Sequence, residues 1–258
     1  MAAVLRYSAQ GPVAQVRLDR PDVRNALDND LIEQLRSTFE QIATDPEIRA
    51  VVLSGEGKAF CGGADVTMMR DSLELTRKQN VAGARALSKM FRAIDRCPKP
   101  VIAKVHGAAL GGGAGLVAVC DIAIAASDAV FGFTETKLGI IPAVISPFVL
   151  AKIGASHARA LFLTGERFEA RRAQAIGLVH EVVVADTLDV AIERVTSEVL
   201  SAGPSAISAA KKLIARVRET SYGKSLDITA EAIADQRTSP EGQEGLRAFL
   251  ERRPPNWK

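Results

Sequence analysis

The chain has little of what metal centres and disulfide frameworks are built from: 258 residues hold three cysteines and three histidines. Cys61, Cys97 and Cys120 are odd in number and share no ligand-type spacing, which predicts reduced thiols in a cytoplasmic protein. His106, His157 and His180 fit no metal motif either, so structural roles are expected for all three and no metal site is predicted. Long apolar runs are also missing. None approaches the ~20 residues needed to span a bilayer, and the N-terminal segment carries Arg6 but no signal-peptide core. Neither membrane insertion nor export is therefore expected. The net charge of +3 is too mild to imply nucleic acid, although it suits a phosphate-bearing ligand. With 47% hydrophobic residues the chain can bury a sizeable core, and its length suits one large domain without excluding two.

Glycine supplies the positive signal. In Ala108-Ala109-Leu110-Gly111-Gly112-Gly113-Ala114-Gly115-Leu116, three bare backbone units follow the apolar strand predicted at residues 101–105 and precede an apolar helix. Without a Cβ, main-chain N–H groups are open to a ligand, and at a helix start they favour negative charge. They suit a phosphate, or the oxyanion formed as a carbonyl becomes an enolate. Taken alone, a glycine triplet more often marks close packing or a turn. A second bare segment strengthens the functional reading: Ala59-Phe60-Cys61-Gly62-Gly63-Ala64-Asp65-Val66 follows a β-branched run that starts at Val51. The triplet lacks the spacing of a dinucleotide fingerprint, and Gly57-Lys58 lacks that of a P-loop.

Periodicity predicts strands at residues 4–7 and 13–18, joined through Gly11-Pro12 as a hairpin, and further strands at 50–53 and 121–125. Asn25 is expected to cap a helix starting near Leu27, with Leu31, Leu35, Phe39 and Ile42 along its apolar face. A longer helix carries Ala84, Leu87, Phe91 and Ile94 and stops before Pro98. Helices between strands imply crossovers and a mainly parallel sheet. Beyond about residue 185 only helical stripes remain: Leu188, Ile192, Val195 and Val199, then Ile207, Ala210, Ile214 and Val217 after Pro204. Further helices are predicted over 226–237 and 241–252.

In order, these blocks resemble the enoyl-CoA hydratase/isomerase, or crotonase, family. The resemblance runs from Leu18-Asp19-Arg20-Pro21, through both glycine segments and Cys120-Asp121-Ile122, to Phe131-Gly132-Phe133-Thr134-Glu135 and Phe162-Leu163-Thr164-Gly165. It implies an α/β crotonase (ClpP-like) spiral of ββα units over residues 1–185. A helical region at 186–258 would provide capping and assembly into homotrimers or hexamers. Acyl-CoA would be the substrate, with no metal or redox cofactor. Matched position by position, the backbone amides of Ala64 and Gly112 become the oxyanion donors and Glu135 the acid/base. Val23, Arg24, Ala26, Gly63, Asp65, Val66, Gly111 and Gly115 are implied in substrate binding. The best-known hydratases carry a further glutamate where this chain has Gly115, so Glu135 would act alone or with water held by another group. Thr67 stands where some relatives have a phosphate-contacting lysine. Gly115, the segment Ile141-Pro142-Ala143-Val144-Ile145 and the ending from Arg247 to Trp257 resemble bacterial methylglutaconyl-CoA and isohexenylglutaconyl-CoA hydratases. The resemblance implies an acyl-CoA hydratase that adds water across, or eliminates it to form, an α,β-unsaturated thioester, with a double-bond isomerase and a non-catalytic CoA-binding protein as the alternatives.

Overall fold

Alternation along the central strands divides the interior into two layers. The computed structural model describes residues 4–257. Strands β1 (Leu5–Gln10) and β2 (Val13–Leu18) form the hairpin, with Tyr7 opposite Val16. Helix α1 (Asn29–Thr44) leads to β3 (Ala50–Gly55), and α2 (Val66–Ser72) and α3 (Arg77–Asp95) lead to β4 (Val101–Val105). The short β5 (Ala108–Leu110) precedes α4 (Gly112–Val119), then come β6 (Ile122–Ala126) and β7 (Val130–Gly132). Helix α5 (Ser146–Thr164), β8 (Arg167–Glu169), α6 (Ala170–Ala175) and β9 (Glu181–Val183) complete the alternating part. Four helices follow: α7 (Leu188–Ser201), α8 (Pro204–Arg218), α9 (Tyr222–Thr238) and α10 (Pro240–Leu250).

The main sheet has the order β1-β2-β3-β4-β6-β9, parallel from β2 onward. Its central strands are buried on both faces, as parallel strands are when helices cover them. Val51, Leu53, Val101 and Ala103 enter the larger core beneath α1, α3 and α4. Their neighbours Val52, Ile102 and Ile124 face the other way, against Leu188 and Ile192 of α7. The first helix after the last strand thus belongs to the core. The predicted face of α1 is buried as expected, and each such side chain contributes about 1.5–3 kcal/mol by leaving water.

A second sheet, β5-β7-β8, is absent from the sequence reading. Three-residue strands carry too few alternations to register. The sequence reading also misplaced a helix start: Asp28, not Asn25, caps α1, its carboxylate accepting the Leu31 amide at 2.8 Å. Asn25 is instead fully buried and links distant turns. Its Nδ2 donates to Glu56 O (2.8 Å) and Ala59 O (2.7 Å), and its Oδ1 accepts from Arg20 N (2.8 Å). Ala84 is exposed on the outer half of α3. The predicted apolar stripe of α8 is largely uncovered within one chain, with Ile214 68% exposed and no α8 residue buried.

Among the described residues no helix is long and apolar enough to cross a membrane. His106 Nε2 lies 2.8 Å from Gly57 O, His180 Nδ1 accepts the Ala123 amide at 2.9 Å, and His157 is exposed. Cys61, Cys97 and Cys120 are free and buried.

Candidate active site

The two glycine segments lie against each other. Cys61 N donates to Ala108 O and Leu110 N donates to Cys61 O, each at 3.0 Å, so the upstream loop meets β5 in a single parallel bridge. The approach requires glycine at position 113, where a Cβ would fall 2.2 Å from Cys61 O. A Cβ on Gly63 would lie 4.0 Å from Gly112 N, which places the end of the first loop over the start of α4.

Leu27 sets the direction of Ala64. Its N–H donates to Gly63 O at 2.7 Å and its carbonyl accepts the Asp65 amide at 3.0 Å. The bonded neighbours flank Ala64 in a parallel bridge, so Ala64 points its own N–H away from Leu27. The Gly112 N–H is the first of α4 and has no partner one turn back within the helix. Among the described residues neither amide donates a hydrogen bond. Two unspent donors therefore sit on adjoining backbone segments, at the N-terminal end of a helix that is otherwise buried all round.

Glu135 stands over the same place, on a 3-10 turn (Thr134–Leu138) that follows β7. Gly111 N donates to Gly132 O at 2.8 Å and ties the triplet to the chain leading into that turn. Gly111 adopts φ +50 and ψ −117, a conformation side chains avoid, and a Cβ there would lie 3.2 Å from Glu135 Oε1. Oε2 is buried without a hydrogen-bond partner. Burial pushes the Glu135 carboxyl above the ordinary glutamate value, opposed by a hydrogen bond from its own backbone amide. A partly dry carboxyl with one free oxygen, beside free amides, has the properties of a proton carrier. Burial pushes the Cys61 thiol up to about 12, so it offers no thiolate nucleophile at neutral pH.

The other expected contacts divide. Val23 and Arg24 lie exposed on the turn before α1, and Arg24 O accepts the Gly62 amide at 2.7 Å. Val66 is 69% exposed at the start of α2. Ala26 is buried, and its carbonyl accepts from Arg20 Nη1. Asp65 is committed internally: its carboxylate caps α2 through Thr67 N (2.7 Å) and pairs with Arg20 Nη2 (3.0 Å). Burial opposes ionisation of Asp65, but the Thr67 and Arg20 bonds outweigh it and hold its carboxyl below the usual range. Gly115 is fully enclosed. A Cβ there would meet Ile145 Cγ2 at 2.4 Å and Phe91 Cζ at 3.1 Å, so apolar side chains fill the space beside it. Sequence reasoning missed Arg20, Leu27 and Ile145, because the contacts that matter, with Asp65, Gly63 and Gly115, cross long stretches of chain and leave no local signature. A cavity of about 620 Å³ lies at the other end of α4, between Val119, Phe148, Lys152 and Ile214, and Glu135 does not line it.

The family model described as enoyl-CoA hydratase/isomerase matches residues 8–258. The crystal structure of an enoyl-CoA hydratase from Shewanella pealeana superposes with a TM-score of 0.95 at 39% identity, covering 99% of this chain and 96% of the other. A short-chain-enoyl-CoA hydratase of Clostridium acetobutylicum is 34% identical over 247 residues, 95% of this chain and 93% of the relative. A 2,3-dehydroadipyl-CoA hydratase of Escherichia coli is 34% identical over 261 residues, 98% of each.

Proposed function

This chain belongs to the enoyl-CoA hydratase/isomerase family and has the crotonase fold, and from that premise we propose that it adds water across the double bond of an α,β-unsaturated CoA thioester. The observation that carries the reading is the pair of unspent amides, Ala64 and Gly112, beside the Glu135 carboxyl, whose Oε2 has no hydrogen-bond partner. Glu135 takes a proton from water as the oxygen bonds to Cβ. The displaced π electrons settle on the thioester oxygen, where the two N–H groups hold the negative charge, each worth about 3 kcal/mol in the transition state. Glu135, now a neutral acid, returns the proton to Cα, so the sum is one water added. The thioester is itself the electron sink, and the scheme asks for no metal or redox cofactor.

Val23, Arg24 and Val66, all exposed, are assigned to the CoA-facing rim, whereas the carbonyls of Ala26 and Gly63 are already engaged by Arg20 and Leu27. The enclosure of Gly115 removes it from that set. A second reading, a double-bond isomerase in which Glu135 carries a proton between carbons, draws support from the apolar filling opposite a lone carboxyl. The acyl group we carry forward for test is a methylglutaconyl-type ester. The uncovered stripe of α8 and the exposed Phe249 support assembly as a trimer or hexamer through α8–α10. Three unpaired cysteines support a cytoplasmic setting.

The test is incubation with enoyl-CoA in heavy-oxygen water. Hydration places the label on Cβ. A double bond that moves without label means isomerisation, and neither change means a binding protein; both outcomes contradict the proposal.

A further inference from the structure

Resting on the hydration reading, we propose that Arg20 is a positioning residue that sets the spacing between the two oxyanion donors. Leu27 touches both donor segments. Its backbone brackets Ala64 through Gly63 O and Asp65 N, and its Cδ1 lies 2.9 Å from where a Cβ on Gly112 would stand. Arg20 immobilises this residue from both sides. Nη1 donates to the carbonyl of Ala26, and Nη2 pairs with Asp28 at 2.8 Å, so the neighbours of Leu27 are both held. The same nitrogen pairs with Asp65 at 3.0 Å, the residue following Ala64. One guanidinium, 17% exposed, thus fastens the Leu27 segment to the loop whose amide it orients. The planar fork makes these bonds in fixed directions, which a lysine ammonium does not reproduce.

Arg20 reaches no reacting atom in this scheme. Its effect is to hold the Ala64 amide within reach of the oxygen that Gly112 also binds. Loosening it removes transition-state stabilisation and leaves the rest of the CoA contacts in place.

The experiment compares wild type with Arg20→Lys and Asp65→Asn, using crotonyl-CoA for turnover and saturated butyryl-CoA for binding. Butyryl-CoA carrying a carbon-13 carbonyl reports polarisation of the thioester through its infrared stretch. The expected result is a fall in kcat of roughly tenfold to a hundredfold, as sub-ångström misplacement produces. KM changes less than about threefold, the pH profile set by Glu135 is unmoved, and the infrared shift on binding is reduced. Should Arg20→Lys fail to fold, Asp65→Asn decides the same question, since it keeps the α2 cap and weakens the pair. A full wild-type shift and kcat in the folded variants overturn the inference. A wild type that does not polarise the carbonyl overturns the hydration reading instead.

Discussion

Oε1 of Glu135 lies 3.2 Å from the point a Cβ on Gly111 would occupy, and Oε2 beside it has no partner. The glycine and the carboxyl therefore define one another's place. A side chain at 111 would press on the acid, in a conformation that only glycine adopts without strain.

Replacing that acid isolates its role. Glu135→Gln keeps size and shape and cannot accept the proton of water. Turnover of crotonyl-CoA is expected to fall by about 10²–10⁴-fold, with the dissociation constant of butyryl-CoA unchanged in calorimetry.

The raised Glu135 carboxyl gives opposite pH trends for rate and stability. Hydration needs the carboxylate, so the rate falls as pH drops through its elevated value. Folding prefers the neutral form, since the native state binds the proton more tightly than the unfolded chain. Wild type thus loses stability as pH rises from the ordinary glutamate value through the elevated one. Tm of Glu135→Gln, followed by differential scanning calorimetry, is expected to gain on wild type across that window and to match it below.

The contact between the loops is equally exacting. A Cβ at position 113 falls 2.2 Å from the Cys61 carbonyl, backbone against backbone. Gly113→Ala is expected to cost about 1–3 kcal/mol in urea unfolding. It should also lower kcat, because Gly112 and Ala64 are driven apart together.

Much of this was legible in the residues, and the limits are instructive. Gly111-Gly112-Gly113 and Cys61-Gly62-Gly63-Ala64 stand out because bare backbone between apolar elements is a local property. The helix face of α1 was readable for the same reason, since Leu31, Leu35, Phe39 and Ile42 repeat with the helix. Asn25 reads as a cap because its type and place suit one, yet its amide spans to Glu56 and Ala59. Gly115 reads as a ligand contact because it follows the triplet. Only packing shows that Ile145, thirty residues on, fills that space.

That packing pair gives a further test. Gly115→Ala should destabilise by about 1–3 kcal/mol through overlap with Ile145. Combining it with Ile145→Ala should recover part of the loss, and a double-mutant cycle in urea should show a coupling of about 0.5–3 kcal/mol.

The uncovered C-terminal helices lead to an assembly prediction. Ile214 is 68% exposed on α8 and Phe249 81% exposed on α10. Light scattering should report a trimer or hexamer, and Ile214→Asp with Phe249→Asp should shift the mass toward one chain.

A crystal structure of Glu135→Gln holding an enoyl-CoA tests the central claim most directly. The account predicts the Ala64 and Gly112 nitrogens both within about 2.7–3.1 Å of the thioester oxygen, with the position-135 amide facing Cα and Cβ. A thioester oxygen bound by only one of those amides, or by neither, would contradict it.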